Sequence, residues 1–569
     1  MSDYQVAKGV SSEAAAALSH LDPLTQQLLV NRGITTKAEA DSFLNPSYEE
    51  EQHDPFLLHD MDKAVVRILR AMDAGERIAI FSDYDCDGIP AAVVLHDFFV
   101  AVGHENFTNY IPHRHYEGFG LSSTAVNKLH AEKVDLIITL DCGTSDHEAV
   151  SQANRHGIDV IITDHHEPKD TLPEAVAVVN PKVGESYPFA GLCGAGVIYK
   201  VVQALIQKGK ENKQFSLIDG WEKWWLDMVG IATIADMVPL TGENRVYARY
   251  GLDVLRKSRR PGLQQLLRKQ RASQRHLTED DIGFTIGPRI NAASRMDNPE
   301  YAFAMLSATT EEEAGATVAH LEKLNNERKG MVAAMTKDIH KRLDVEAGVP
   351  EVLVMGHPEW RPSLVGLAAN KLAEEHNCPV FLWGRDGNGV IKGSCRSDGS
   401  TSLVCLMDEV KDAFLEYGGH HFSGGFSVSE QSIHHLPERL CEAFRTLGNE
   451  AAVSEVLQVD AEVLLDQINR DFIQSLQQLS PYGAENPKPL FLFRDVTPAA
   501  VEHFGKVKDH TKLQLTTSGM AREAIAFFRL PSQFTKEPIA GESVSLLAHV
   551  EQSFFMGRLQ TRLRIVDVL

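Results

Sequence analysis

The segment "FSDYDCDG", residues 81–88, has aspartates at alternate positions followed by a glycine, which is the D-x-D-x-D-G spacing of a calcium loop. An EF-hand also needs a bidentate glutamate at loop position 12, and that position is Val94 here. The segment follows a strand-like run, "RIAI", whereas an EF-hand loop lies between two helices. The calcium-loop interpretation therefore fails, and Asp83, Asp85 and Asp87 need another role.

Two further apolar runs end in residues of metal-ligand type. "DLIITLD" ends at Asp141, and "DVIITDHH" ends at Asp164, His165 and His166. One such ending is most often a turn or a helix cap, but three in one region are hard to ascribe to capping. Ligands bind beyond the carboxyl ends of the strands in an open parallel sheet, so we expect these side chains in one pocket.

The residue types in this pocket favour particular metals. Mixed carboxylate and imidazole ligands suit manganese, zinc or magnesium, and a majority of carboxylates favours manganese or magnesium. Five or more anionic groups imply more than one cation, because a single divalent ion leaves the group strongly self-repelling. We therefore expect two divalent cations, Mn²⁺ or Mg²⁺, in the arrangement that hydrolyses phosphate esters.

The surrounding pattern predicts an α/β fold with several domains. Short β-branched runs alternate with helix-length segments over about 61–180, which indicates a doubly wound parallel sheet. Residues 192–309 look mainly helical, and residues 311–344 are predicted to form one long helix, which a second α/β unit follows. In the last hundred residues apolar and polar side chains alternate, as in the strands of a small β-barrel or sandwich. The predicted parts are an N-terminal segment (1–60), a catalytic domain (61–309), a connecting helix (310–346), a second α/β domain (347–450) and a β domain (455–569).

Composition is that of a globular protein without a membrane span. The 569 residues are 43% hydrophobic and 24% charged, and no run reaches eighteen apolar residues. Seven cysteines occur without a C-x-x-C pair, which argues against a disulfide framework and a structural zinc site. We expect a cytoplasmic protein that does not act at a membrane.

Charge leaves one question open. The net charge of −22 discourages a nucleic-acid partner, but residues 245–275 carry ten arginines and lysines against one aspartate. This basic segment is either a solvated helical surface or a track for phosphates, and the sequence favours neither.

The ordered segments "DYDCDG", "DCG", "TDHH" and "ADMVPL" resemble the four motifs of the DHH phosphoesterase family. "PHRHYEGFGLS", "FTIGPRINAASRMD", "IKGSCRS" and "YGGHHFSGGFSV" resemble the RecJ branch of that family, from about residue 60 to the C-terminus. The triplet "DHH" alone carries no weight, whereas the ordered set is specific. The resemblance implies a DHH domain, a DHH-associated domain and an OB-like domain. It also implies a 5′→3′ exonuclease that degrades single-stranded DNA to 5′-mononucleotides in repair and recombination.

The resemblance also implies roles for individual residues. Asp141 is the expected metal bridge, and Asp83 and His166 either bind metal directly or orient another group. Phe81 stands where many DHH relatives have a histidine. The implied metal ligands are Asp83, Asp85, Asp87, Asp141, His165 and Asp236, and the implied catalytic residues are Asp141, His165 and His166.

Substrate-binding residues follow from the same resemblance. Arginine suits a phosphate anchor because its fork matches phosphate oxygens bidentately. A glycine pair would let the backbone approach a nucleotide, although it is equally a turn. The implied residues are Arg114, Ser394 and Arg396 for a 5′-phosphate, Arg289 and Arg295 for further phosphates, and Gly418, Gly419 and His420 for a nucleotide.

Expected partners are single-stranded DNA, a single-strand-binding protein and a RecQ-type helicase, with the chain acting as a monomer. One alternative is a DHH phosphodiesterase for short oligonucleotides or cyclic dinucleotides, or a pyrophosphatase; the β domain favours a long strand instead. A non-enzymatic replication scaffold would lack metal ligands, and here the set is complete. A dehydrogenase reading of "GLCGAG", residues 191–196, is weak because the run does not join a strand to a helix in the required way.

Overall fold

A computed structural model describes residues 4–345, 348–447, 456–505, 507–517, 520–555 and 558–569. The domain limits predicted at residues 346, 347, 450 and 455 lie outside the described residues. Among the described residues, no helix is both long enough and apolar enough to cross a bilayer.

The N-terminal segment packs against the far end of the chain. Leu28 and Leu29 are buried in one core with Phe491 and Leu546 of the β domain, and Arg32 donates a 2.7 Å hydrogen bond to the side-chain oxygen of Asn486. The segment thus joins the two ends of the chain. Its elements are β1 (Tyr4–Val6), α1 (Ser12–Ala17), α2 (Pro23–Val30) and α3 (Lys37–Leu44).

The catalytic domain contains the parallel sheet that the sequence predicts. Its strands are short, β-branched and buried, because helices cover both faces. The elements are α4 (Met61–Ala74), β2 (Ile78–Ser82), α5 (Gly88–Ala101), β3 (Phe107–Tyr110), α6 (Ser123–Ala131), β4 (Leu136–Leu140), α7 (His147–Arg155), β5 (Asp159–Thr163) and β6 (Ala177–Val179). The strand order is β3-β2-β4-β5-β6, all parallel, which confirms the doubly wound fold.

A helical region completes this domain and leads into one long helix. The helices are α8 (Gly194–Glu211), α9 (Leu226–Ala235), α10 (Gly242–Leu255), α11 (Pro261–Gln270), α12 (Glu279–Asp281), α13 (Gly287–Met296), α14 (Glu300–Ser307) and α15 (Glu311–Val345). The amino-terminal part of α15 is buried against the catalytic domain through Val318 and Leu321, and its carboxyl-terminal part against the second α/β domain through Ile339 and Leu343. The connecting helix therefore holds both domains.

The second α/β domain has a mixed sheet in the order β10-β11-β9-β8-β7, in which only β7 and β8 are parallel. Its elements are β7 (Leu353–Gly356), α16 (Pro362–His376), β8 (Val380–Arg385), β9 (Ile391–Arg396), α17 (Leu403–Asp408), β10 (Phe414–Gly419), β11 (Ser423–Val428) and α18 (Leu436–Leu447).

The C-terminal domain is built on a seven-stranded sheet in the order β13-β14-β18-β19-β17-β16-β15. The short strand β12 pairs in parallel with β1 instead. The elements are β12 (Leu457–Val459), β13 (Ala461–Glu462), α19 (Arg470–Leu479), β14 (Phe491–Val496), β15 (Pro498–Phe504), β16 (His510–Thr517), β17 (Met520–Ala526), β18 (Val544–Phe555) and β19 (Arg558–Val568).

Several arginines of the basic segment make internal contacts. Arg245 and Arg249 donate to backbone carbonyl groups of residues 477–480 in and just after α19, which docks the helical region onto the C-terminal domain. Arg260 binds Asp97 and Asp227 inside the catalytic domain, at 2.7 and 2.9 Å. These arginines serve the fold, so the segment is not one continuous phosphate track.

A buried ion pair fixes the N-terminal segment to the helical region. Lys200 and Glu243 have fully buried side chains whose charged atoms lie 2.5 Å apart. The backbone N–H of His53 donates to Glu243 (2.9 Å), and Lys200 donates to the carbonyl group of His53 (2.7 Å). Tyr187 donates a further hydrogen bond to Glu243. The carboxylate is therefore fully partnered, as a buried charge must be.

Replacing Glu243 with alanine should destabilise the protein strongly, because it leaves the Lys200 ammonium buried without a counter-charge. We predict that Glu243→Ala lowers the free energy of unfolding by about 3–5 kcal/mol, measured by urea unfolding followed by tryptophan fluorescence. The matched control is Glu49→Ala at the exposed Lys223–Glu49 pair, with an expected loss within about 1 kcal/mol. Equal losses in the two variants would contradict this account.

Candidate metal centre

Three aspartates lie side by side at the carboxyl edge of the parallel sheet. Asp83, Asp141 and Asp164 each follow a strand directly, and the backbone N–H of each donates to the last carbonyl group of the neighbouring strand, at 3.1, 2.9 and 3.1 Å. The ladder therefore extends one residue past each strand. This register brings the three side chains to the shared edge that the sequence predicts.

The loop after β2 is closed by its own side chains. Asp85 accepts hydrogen bonds from the backbone N–H groups of Asp87 (2.8 Å) and Gly88 (3.1 Å), so the chain turns directly into α5. A Cβ atom on Gly88 would lie 2.5 Å from the carbonyl oxygen of Asp83. The glycine that suggested a calcium loop is thus needed for close backbone packing.

The amino terminus of α8 holds Asp87. The N–H groups of Gly194 and Ala195 donate to its two carboxylate oxygens, at 2.6 and 2.7 Å, and the helix dipole favours a negative charge there. Gly194 also lies against Asp141, because a Cβ atom on it would stand 2.5 Å from the Asp141 Cβ. This role of "GLCGAG" was not predicted from the sequence, although a glycine at the start of a helix could have indicated it.

Asp164 organises the two histidines. It accepts hydrogen bonds from the backbone N–H groups of His165 (2.7 Å), His166 (3.1 Å) and Thr144 (3.0 Å). The ring Nδ1 of His166 donates to Asp164 at 2.7 Å. Burial alone would lower the pKa of His166, but the hydrogen bond and charge of Asp164 raise it to about 9. Asp164 is therefore a positioning residue rather than a metal ligand.

His165 lies at the centre of the carboxylates. Its Nε2 is 3.1 Å from an oxygen of Asp141 and 3.7 Å from oxygens of both Asp87 and Asp236. Burial, with the positive charge of His166, lowers the pKa of His165 to about 4, so the imidazole is neutral and can bind a metal. Asp236, at the end of α9, reaches this group from outside the sheet.

The potential ligand atoms form two sets, and a third group, Asp141, His165 and His166, shares a residue with each of them. One set contains Asp83, Asp85 and Asp141, the other Asp87, His165 and Asp236, and the ligand atoms within each set lie within 4.8 Å of one another. At that separation two carboxylates repel by roughly 3–4 kcal/mol in a protein environment. His166 also lies near Asp141, at 3.9 Å. The structure thus brings together the metal-ligand residues that the resemblance implies.

Bound cations would stabilise the ionised carboxylates of this centre, which burial and mutual repulsion destabilise. Burial and neighbouring carboxylates raise the pKa of Asp87 to about 7 and that of Asp236 to about 8, and they raise the pKa values of Asp83 and Asp141 as well. Oδ1 of Asp83 and Oδ1 of Asp141 are buried with no hydrogen-bond partner among the described residues. Such orphaned oxygens, in a set dominated by carboxylates, fit Mn²⁺ or Mg²⁺.

A cavity of about 250 Å³ opens above these residues, and its lining includes Arg114 and Arg295. The Arg114 guanidinium lies 4.8 Å from the centre of the Tyr84 ring. A second cleft of about 470 Å³ continues between the catalytic and second α/β domains. The cavity is lined by Asp83, Tyr84, Asp85, Arg114, Phe119, Asp141, His166, Asp236, Asn291 and Arg295.

Arginines from three parts of the chain act on Arg295, which lines the cavity. Burial and the positive charges of Arg114, Arg328 and Arg396 lower the pKa of Arg295 to about 9. On β9, Arg396 and Ser394 both face Gly366 of α16, where a Cβ atom would meet them at 3.1 and 3.2 Å. The sequence analysis missed Arg328, which comes from the connecting helix. Mutual repulsion among these cations favours an anion between them.

The expected phosphate contact at Arg289 is not supported. Its guanidinium binds Glu322 at 2.9 Å, the side chain of Gln270 at 2.6 Å and two carbonyl groups, and it does not line the cavity.

Phe81 occupies the position at which many DHH relatives have a histidine. Its side chain is buried and stacked on Tyr110, with ring centroids 5.4 Å apart. It does not line the cavity either.

The glycine pair lies at a hairpin. Gly419 pairs with Gly424 on the neighbouring strand, and a Cβ atom on Gly419 would stand 2.3 Å from the Ser423 carbonyl oxygen. The N–H of His420 donates to that same oxygen at 2.7 Å. A Cβ atom on Gly418 would meet no described atom within 4 Å. The turn therefore explains Gly419 but not Gly418, and a nucleotide contact at this pair stays a prediction.

A methyl group at Gly194 should disturb the metal centre although no metal-ligand residue is replaced. We predict that Gly194→Ala weakens Mn²⁺ binding at least ten-fold, because the added Cβ displaces Asp141 and pulls the donors of Asp87 away. The measurement is isothermal titration calorimetry with Mn²⁺. The control is Gly196→Ala, two residues further along α8, where the new Cβ meets its nearest neighbours at 3.5 Å or more. Equal Mn²⁺ affinities in both variants would contradict the assignment.

Comparison with known families identifies the three main domains. Family models match residues 77–233 as the DHH family N-terminal domain, residues 349–447 as the DHHA1 domain and residues 459–567 as the RecJ OB domain. The metal centre therefore lies mainly in the DHH domain, and Ser394 and Arg396 lie in the DHHA1 domain.

Relatives match over most of the chain. The single-stranded-DNA-specific exonuclease RecJ of Bacillus subtilis is 31% identical over 96% of this chain and 68% of its own length. The Escherichia coli protein of the same name is 30% identical over 84% of each. The fold matches a crystal structure of Thermus thermophilus RecJ in complex with Mn²⁺, with a TM-score of 0.81, 26% identity and coverage of 100% of this chain and 79% of that one. Together with the three domains, this similarity shows that the chain belongs to the RecJ family.

Proposed function

We propose that this protein is a metal-dependent exonuclease that degrades single-stranded DNA from the 5′ end and releases 5′-mononucleotides. The observation that supports the proposal most strongly is that two oppositely charged clusters lie side by side. One consists of the crowded carboxylates of the metal centre, and the other of the arginines around Arg295. The carboxylate cluster would hold the cations that hydrolyse a phosphodiester bond, and the arginines would bind a phosphate group of the substrate. Named relatives are single-stranded-DNA-specific exonucleases.

Two divalent cations, Mn²⁺ or Mg²⁺, would be held by the two ligand sets, with Asp141 as the proposed bridge. Cations bound there supply an acidified water molecule and neutralise charge on the leaving oxygen. The protein itself supplies position: the strand edge fixes Asp83 and Asp141, and the amino terminus of α8 fixes Asp87. Asp164 orients the ring of His166, which lines the cavity and can donate a hydrogen bond to a phosphate oxygen.

Polarity follows from the arginines. Arg114 and Arg295 line the cavity, and Arg396 of the DHHA1 domain, with Ser394 beside it, is close enough to lower the pKa of Arg295. A terminal 5′-phosphate bound between these groups would place the first phosphodiester bond over the metal centre. Each cleavage would then expose a new 5′-phosphate for the same anchor.

Selection for single strands follows from the cleft between the domains. Its lining includes Tyr84, Phe119 and Tyr417, whose rings offer stacking surfaces for unpaired bases. The RecJ OB domain adds a further surface, where Arg564 lies over Phe527 at 4.5 Å. A long strand uses both surfaces, which favours it over a dinucleotide. A role in repair and recombination, a single-strand-binding protein and a RecQ-type helicase as partners, a cytoplasmic location and a monomeric state remain predictions.

The activity is tested with a 5′-labelled single strand, a 3′-labelled single strand and a duplex, each with Mn²⁺ or Mg²⁺. We expect labelled mononucleotide to appear first from the 5′ label of the single strand, and no release after chelation. Asp141→Ala should lower the rate at least a hundred-fold, while Asp170→Asn, at an exposed loop position, should not change it. Equal attack on the duplex, or first release from the 3′ end, would rule the proposal out.

The anchor is tested by comparing substrates with a 5′-phosphate and a 5′-hydroxyl group. A hydrogen bond to a charged group contributes about 1.5–3 kcal/mol, so Arg396→Gln should reduce the preference for the phosphate about ten-fold or more. The matched control is Arg385→Gln on β8, where the arginine pairs with the exposed Glu430. A preference unchanged in Arg396→Gln would place the anchor elsewhere.

A further inference from the structure

A second group of metal-binding side chains lies where α15 meets α16. His340 comes from the connecting helix, and Glu375 and His376 are the last two residues of α16. One ligand atom from each residue lies within 4.8 Å of the others. Nε2 of His340 is 3.1 Å from a Glu375 oxygen, and the two imidazole rings are nearly perpendicular, with centroids 5.7 Å apart.

Each histidine of this group has one ring nitrogen without a hydrogen-bond partner among the described residues. Nε2 of His340 and Nε2 of His376 are both inaccessible to solvent, and neither has a hydrogen-bond partner among the described residues. Glu375 is near His340, but not in a position to accept a hydrogen bond from it. Buried polar nitrogens normally have partners, and the same signature marks Oδ1 of Asp141 in the main centre.

The packing of α15 against α16 holds these residues in place independently of any ion. Ile339 and Leu343 of α15 pack with Leu372 and Ala373 of α16 in one buried cluster. The three ligands thus project from rigid, packed helices, which favours a defined site. The side chains of His340 and Glu375 remain 36% and 41% exposed, so the group lies close to the protein surface.

We propose that His340, Glu375 and His376 bind one zinc ion, or a transition-metal ion of similar preference, separate from the exonuclease centre. Two imidazoles and a carboxylate are a known zinc ligand set with one position left for water. Ligand atoms of one tetrahedral zinc ion lie about 3.4 Å apart, close to the His340–Glu375 separation. Manganese and magnesium prefer oxygen-rich sites such as the main centre, so ligand type distinguishes the two sites.

A metal ion at this site would act as a clip. It would join the carboxyl-terminal part of the connecting helix to the DHHA1 domain, while the same helix carries Arg328 to the arginine cluster. Its contribution is therefore to the stability of the domain junction and not to the hydrolysis itself. The expected effect of zinc is a higher unfolding temperature of the full chain.

The test measures zinc content by elemental analysis after equilibration with Zn²⁺ and gel filtration, with Mn²⁺ present throughout. The wild type should retain one zinc per chain more than His340→Ala/His376→Ala. A second variant, His340→Gln/His376→Gln, keeps polar side chains and should show the same loss. The matched control is His434→Ala/His435→Ala, two exposed histidines of the same domain, which should retain the wild-type content.

Further readouts separate a metal site from a simple ion pair. Zinc should raise the unfolding temperature of the wild type and the control more than that of either His340/His376 variant. Exonuclease activity in Mn²⁺ should be equal in all of them, whereas Asp141→Ala should lose activity and keep this zinc ion. Equal zinc content in the wild type and both His340/His376 variants would overturn the proposal and leave a His–Glu ion pair as the explanation.

Discussion

Repulsion among buried carboxylates is the constraint on which this site depends. Within each ligand set, carboxylate oxygens lie within 4.8 Å of one another, so two ionised carboxylates at that distance repel by roughly 3–4 kcal/mol. The fold offsets part of this cost with backbone donors. N–H groups at the amino terminus of α8 donate to Asp87, and N–H groups of the loop after β2 donate to Asp85. The oxygens left without donors, on Asp83 and Asp141, are those that cations would bind.

The arginine cluster is the electrostatic counterpart of this centre. Arg114 and Arg295 come from the DHH side, Arg328 from the connecting helix and Arg396 from the DHHA1 domain. The positive charge of Arg295 is destabilised by burial and by the other three arginines, and a phosphate group would relieve that repulsion. The long helix therefore does more than join two domains, because its packing at both ends fixes the distance between the metal centre and the anchor.

The sequence predicts the sheet and most of the centre because these depend on local pattern. Strands such as "LIITL" are fully buried and parallel, so the residues that follow them must meet at one edge. Motif resemblance adds Asp236, which local spacing could not connect to the sheet.

Other features depend on contacts between distant parts of the chain, which spacing cannot reveal. Gly194 matters because its backbone touches Asp87 and Asp141. The family resemblance implied a phosphate contact at Arg289, and the sequence left open a phosphate track in the basic segment. Arg289, Arg245, Arg249 and Arg260 instead bind internal carboxylates and carbonyl groups. Arg328 carries no motif and is recognised only once the connecting helix is placed beside the cavity.

We infer that the crowded carboxylates hold two cations beside a phosphate anchor. Anomalous diffraction from crystals grown with Mn²⁺ and a 5′-phosphorylated single strand tests it most directly. We expect two manganese peaks in the cavity that share Asp141, with the terminal phosphate between Arg114 and Arg396. A cavity without manganese, or a strand bound with its 3′ end at the arginines, would contradict it.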